Sequence, residues 1–172
     1  RWRKDGKGRQ HPDGIDAAVS CLTPDDVIAG APIHDPVVVY DDDHYFMASV
    51  IAEKLRGEGH EVIYVTPANE VATWTQNTME QSRIHARLLE LGVRVVLGQQ
   101  IDRITTGELQ LGCVYSNRTQ ALNAVSVVLV TMRDPNDTLF DALSVEPSSL
   151  EVSGIKTLSR IGDCLAPGLV AA

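Results

Sequence analysis

The chain has 172 residues, 44% of them hydrophobic and 22% charged, with a formal net charge of −8. That balance describes a folded protein rather than a disordered one, and it argues against a nucleic-acid partner, because phosphates are neutralised by Lys and Arg. No stretch approaches the roughly 18 apolar residues that span a membrane, and no signal peptide is visible.

Residues 1–35 are rich in Gly, Pro and Asp, show no sustained period, and read as an extended lead-in; the basic RWRKDGKGR at its start reads as solvated. One short helix is expected at TPDDVI, with Thr23 as cap, Pro24 at the first helical position and two aspartates in the first turn. Val37–Tyr40 is a continuous apolar run, the mark of a buried parallel strand. A helix follows in which Met47, Val50, Ile51 and Leu55 are expected to share the inward face, ended by Gly57 and Gly59. EVIYV is the second strand, residues 77–91 a helix with Ile84, Leu88 and Leu91 inward, and VRVVL the third strand. This alternation predicts an α/β fold with a Rossmann-like parallel sheet.

From residue 99 the pattern becomes β-branched, with turn signals at Thr106-Gly107 and Ser116-Asn117. It predicts an antiparallel meander and then one buried strand, Val125–Val130. A helix near 137–145 and a strand near 155–161 complete the expected elements, and a helix is expected to begin within IGDCLAPGLVAA. With no initiator Met and a break in mid-motif, both ends read as those of a fragment of a larger chain. Cys21, Cys113 and Cys164 are far apart and odd in number, which fits a reducing cytoplasm and offers neither a disulfide framework nor a CxxC metal site. His11, His34, His44, His60 and His85 never fall at metal-ligand spacing, so no metal site is expected.

The first strand runs into Asp41, Asp42 and Asp43, where a dinucleotide-binding unit would carry glycines. Counting back from Leu55, the fingerprint positions fall on Asp43, Tyr45 and Ala48, of which only Ala48 keeps a small side chain. The second strand ends in Thr66-Pro67, without an acid to hold a ribose hydroxyl. A receiver-type phosphoacceptor site also opens with an acidic pair, but the third strand here ends in VVLGQQ and Val125–Val130 leads into Thr131-Met132-Arg133. The acceptor Asp and the Lys of such a site are missing. The remaining reading makes the aspartates a solvated loop capping the next helix, with His44 a solvated neighbour. No triad, activated nucleophile or convergent acid–base pair is evident, so no catalytic residue is assigned.

VVLVTMRDPNDTLFDAL resembles the strand–turn–helix of flavoproteins with two dinucleotide domains, with Met132 where that family has Gly. TLSRIGDCLAP resembles their later strand ending in I-G-D. Together with DDDHYFMASVIAEKL, GHEVIYVTP and NTMEQSRIHARLLELGVRV, these segments resemble the C-terminal nucleotide-binding-like region of the trimethylamine dehydrogenase and histamine dehydrogenase family. Those are iron–sulfur flavoproteins of the old-yellow-enzyme-like NADH:flavin oxidoreductase group, and the resemblance covers nearly the whole chain.

The resemblance implies a disulfide-reductase-like nucleotide-binding fold in three parts. Residues 1–35 would lead in from a neighbouring FAD/ADP-type domain, 36–150 would form the Rossmann-like, degenerate NAD(P)-type domain, and 151–172 would return to the FAD/ADP-type domain. It makes Gly162 and Asp163 the candidate cofactor-binding residues, Asp163 accepting from a hydroxyl of a flavin nucleotide. It implies FMN, a 4Fe–4S cluster and ADP or FAD in the full-length protein, with none expected in this fragment. The implied partners are the rest of its own polypeptide, a second copy of the parent in a homodimer, and an external electron-transfer protein. The expected function is that of a noncatalytic domain of an amine dehydrogenase. The alternative is a working NAD(P)H-binding domain of a related reductase of the dienoyl-CoA type, with a receiver-like phosphoacceptor domain as the more distant one.

Overall fold

A computed structural model of the chain describes residues 20–131, 133–145, 150 and 152–168. They divide into two compact units, one running through Thr131 and the other starting at Arg133.

The first unit is built on a five-stranded parallel sheet. Its strands are β1 (Ser20–Leu22), β2 (Val37–Asp41), β3 (Val62–Val65), β4 (Arg94–Val96) and β8 (Ser126–Val130), in the spatial order β1-β8-β2-β3-β4. Helices α1 (Pro24–Ile28), α2 (Met47–Gly57) and α3 (Gln81–Glu90) belong to the crossovers, with a 3₁₀ turn at Thr73–Gln76 before α3. Between β4 and β8 the chain makes a three-stranded antiparallel meander, β5 (Gln99–Thr105), β6 (Glu108–Cys113) and β7 (Thr119–Asn123).

The continuous apolar runs of β2 and β8 reflect burial on both faces. In β2, Val37 and Val39 join the helix-side core with Ala48, Ile51, Leu55 and Leu88. Val38 and Tyr40 point the other way, into a second core with Ile101, Ile104, Leu109, Leu111 and Leu122 of the meander. The meander is therefore one-sided: Leu109 and Leu111 are buried while Glu108 and Gln110, which alternate with them, are exposed. Helix α1 starts where expected: the Thr23 side chain accepts the Asp26 N–H at 3.2 Å, and the Asp26 carboxylate accepts the Thr23 N–H at 2.8 Å, a complete capping box.

Three sequence expectations differ from the structure. Ser20–Leu22, expected within the lead-in, is a strand on the sheet edge, in parallel register with β8 through Leu22–Val128. At three residues it is too short to show a period. Val50, expected inward, is 51% exposed. The buried face of α2 is Ala48, Ile51, Ala52 and Leu55, an i, i+3, i+4, i+7 set that leaves Val50 nearly opposite. Residues 155–161, expected as a strand, are not in one. A strand exists through its partner's hydrogen bonds, and among the described residues none is paired with this segment.

The second unit holds α4 (Thr138–Ser144) and a 3₁₀ turn at Gly162–Cys164. Within it Arg160 lies 2.7 Å from Asp137, and its guanidinium sits 4.7 Å above the centre of the Phe140 ring. The segments 1–19 and 169–172, with Met132, lie outside the described residues.

The two-core arrangement makes a direct prediction. Leu109→Ala, which empties a fully buried position on the meander side, should cost about 2–5 kcal/mol. Val50→Ala should change stability by no more than about 0.5 kcal/mol. Urea unfolding midpoints of the two variants test both.

Candidate functional site

The acidic turn leaves β2 at the carboxyl end of the sheet, where ligands bind in open α/β folds. Asp41 is not a solvated residue: it is fully buried as the last residue of β2. Its carboxylate accepts the hydroxyl hydrogen of Tyr64, itself fully buried on β3, and accepts the His44 N–H at 2.8 Å. Burial, opposed by these two hydrogen bonds and reinforced by Asp43 and Asp42, raises the Asp41 carboxyl to about 7. Burial, and then the neighbouring Asp41, holds the Tyr64 hydroxyl well above its usual range.

The loop beyond Asp41 is closely tied. The N–H groups of Asp42 and Asp43 both donate to the Val130 carbonyl, at 2.9 and 3.1 Å. His44 takes a left-handed backbone conformation, φ 61°, and its carbonyl accepts the Trp74 N–H at 2.9 Å. The expected helix cap is absent: the N-cap of α2 is Phe46, which makes no side-chain capping bond. The aspartates instead organise the loop, because the Asp41 side chain sits below it and takes the His44 amide. His44, expected to be solvated, is only partly exposed and has its Nε2 3.7 Å from Asp42. At the fingerprint positions, Tyr45 packs edge-on against Phe46 at 4.9 Å between ring centres. Ala48 is fully buried, the one fingerprint role that survives.

Asp42 and His44 form one wall of a cleft of about 900 Å³. Pro67 and Ala68 beyond β3 continue that wall, and Gln100, Asp102 and Gly112 of the meander lie across from it. The β5–β6 register shifts between Ile101 and Arg103, a bulge that places Asp102. The Gln100 amide donates to Asp102 Oδ1 at 3.0 Å, and Asp102 Oδ2 lies 2.2 Å from where a Cβ on Gly112 would sit. Only glycine at position 112 leaves room for that carboxylate. The rim is the β6–β7 turn, including Tyr115 and Arg118. With two carboxylates and one guanidinium the cleft carries both signs of charge. Its β2 side offers carboxylates where a pyrophosphate would require N–H donors.

Sequence reasoning found Asp41–Asp43 but missed Tyr64 and the Gln100–Asp102–Gly112 arrangement. Both leave a signal. A tyrosine inside a doubly buried strand needs a partner for its hydroxyl. Ile101 and Ile104, three apart and both buried, do not fit a period of two without a bulge. Gly162 and Asp163 lie in the second unit, on an exposed 3₁₀ turn. Gly162 has φ 60°, and the Asp163 carboxylate accepts the Gly168 N–H at 3.3 Å. Among the described residues no group of three or more His, Cys, Asp or Glu could hold a metal ion, and no helix is long and apolar enough to cross a membrane.

Cys113, on the cleft edge, has its thiol lowered from the ordinary range, first by a hydrogen bond with the Ser116 side chain. Ser116→Ala should therefore slow alkylation of Cys113 by iodoacetamide at pH 7, read by peptide mass spectrometry.

Residues 22–139 match the family described as the OYE-like second alpha/beta domain. The chain is 26% identical over 178 residues to dimethylamine dehydrogenase of Hyphomicrobium sp. (strain x), covering 92% of this chain and 24% of that protein. Among solved structures it is similar to histamine dehydrogenase from Rhizobium sp. 4-9, at 40% identity and a TM-score of 0.95, over 99% of this chain and 27% of the other. It is also similar to the 6-hydroxypseudooxynicotine amine oxidase HisD from Pseudomonas geniculata N1, at 34% identity and a TM-score of 0.89, over 99% of this chain and 26% of the other. The chain thus spans about a quarter of the length of these relatives. It belongs to the OYE-like second alpha/beta domain family, within the trimethylamine and histamine dehydrogenase group of flavoproteins.

Proposed function

We propose that this chain is a noncatalytic domain of an amine-oxidising flavoenzyme, serving as scaffold and interdomain surface, and that it has lost NAD(P)H binding. The observation that carries this reading is the turn after β2. A pyrophosphate there would meet Asp43 and Tyr45 at the first two glycine positions, with Asp42 alongside. Carboxylates repel the phosphate, and a tyrosine ring occupies the space a glycine leaves for its approach. The similarity to dimethylamine dehydrogenase, histamine dehydrogenase and an amine oxidase supports an amine as the parent's substrate.

In this reading FMN and a 4Fe–4S cluster, carried elsewhere in a homodimeric cytoplasmic parent, supply the redox chemistry. The described residues offer no set of ligands for such a cluster. Electrons would leave for an external electron-transfer protein. Gly162 and Asp163 would serve a flavin nucleotide or ADP in company with residues outside this chain. Gly162 supplies the left-handed turn, and Asp163 supplies the acceptor for a sugar hydroxyl.

The second reading, a working NAD(P)H domain, rests on the cleft lying at the carboxyl ends of β2 and β3. Calorimetric titration of the chain with NADH and NADPH separates the two. The expected result is no saturable heat for a Kd tighter than about 1 mM. Saturable binding below that limit would restore the nucleotide reading and overturn the loss.

A further inference from the structure

Helix α2 carries two apolar faces. One is buried: Ala48, Ile51, Ala52 and Leu55 pack in the helix-side core. The other is Phe46 and Val50, one turn apart and 38% and 51% exposed. The fold beneath does not need them, because the buried set already makes a complete inward stripe. Nor are they scattered surface residues. With Tyr45 they line one side of a groove of about 640 Å³, and Ile84 and Leu88 line it from α3. Met79, 93% exposed, immediately precedes Glu80, which also borders the groove. Single exposed apolar residues are ordinary, whereas an apolar groove between two helices marks a contact surface.

The charges around the groove narrow the kind of contact. Glu53 of α2 and Arg87 of α3 bridge the two helices at 3.0 Å, and Arg87 lies 3.9 Å from Glu90. With Glu80 and Arg83 the lining holds three carboxylates and two guanidiniums. So balanced a set projects little field of one sign, which is what steers a transient charged partner. An apolar surface with its charges paired among themselves suits a lasting contact. The relatives supply the occupant. Histamine dehydrogenase and HisD each match 99% of this chain, which covers only 27% and 26% of theirs. In chains of that length about three quarters of the polypeptide lies outside this domain.

We propose that the α2–α3 groove seats the remainder of this chain's own polypeptide: an apolar surface of the parent, from outside residues 1–172, covers Tyr45, Phe46 and Val50. The proposal rests on the reading of this chain as one domain of a larger flavoenzyme, and it names the face by which the domain is held. It also accounts for Val50, an apolar residue on the outward side of a helix whose inward stripe is already complete.

Hydroxyl-radical footprinting, read by peptide mass spectrometry, compares this chain with its full-length parent. In the chain alone Tyr45 and Phe46 should be modified readily. In the parent their modification should fall to the level of the fully buried Tyr64. Val50→Glu should bring it back in the parent, yet leave the urea midpoint of the chain alone unchanged, because the position is exposed there. The wild-type comparison keeps the test decisive should the variant parent fail to fold. Equal modification in chain and parent, protection already complete in the chain alone, or no response to Val50→Glu would each overturn the proposal. So would a concentration-dependent dimer of the chain alone, seen in sedimentation and abolished by Val50→Glu, because the occupant would then be a second copy. Failure of the underlying reading shows elsewhere, as saturable NADH binding by the chain or a parent that oxidises no amine, and neither result alters the footprint.

Discussion

Strand β2 has to satisfy two cores at once. Val37 and Val39 face the helices, and Val38 and Tyr40 face the meander, so no residue of the strand can be polar without finding a partner inside the protein. The strand also sits mid-sheet between β8 and β3, with both of its edges hydrogen-bonded. Asp41 ends this run and stays buried, and its polarity is met from β3 by Tyr64. The position of the acidic loop, the wall of the cleft and the start of α2 all follow from where that buried strand is allowed to stop.

What the sequence made legible was set by the length and regularity of its patterns. The two doubly buried strands, the one-sided meander and the capped helix α1 are strong local signals, and each forms where it was expected. The edge strand β1 was hidden because three residues show no period, and residues 155–161 were over-read because β-branching alone cannot supply a partner. Val50 shows a limit of another kind. An apolar residue near an apolar stripe is assigned inward unless its angle around the helix is worked out. At the site, the aspartates were visible as a run, but their different fates were not. Asp41 is enclosed while Asp42 and Asp43 are partly exposed, a distinction that depends on Tyr64, more than twenty residues away.

At the strand end, the packing positions of a nucleotide-binding unit and its phosphate-approach positions are separable. Close packing of α2 on β2 survives through Ala48, so the helix still points its first turn at the mouth of the sheet. On the β2 side that mouth carries carboxylates, and Tyr45 stands at the second fingerprint position, its ring packed against Phe46. Within a few residues the packing position keeps its small side chain while the two positions before it carry Asp43 and Tyr45. The same framework is shared with the OYE-like second alpha/beta domain family and with part of histamine dehydrogenase and of an amine oxidase.

The meander has a consequence for how such a framework can vary. Its strands pair only with one another, and the β6–β7 turn carrying Tyr115 and Arg118 hangs from that local pairing. Residues can be inserted or deleted at this turn without shifting the register of the parallel strands beneath, because no strand of the sheet takes its alignment from it. The far rim of the cleft is therefore an interchangeable edge on a fixed foundation. Related domains could differ in what they admit there while sharing the same five-stranded base.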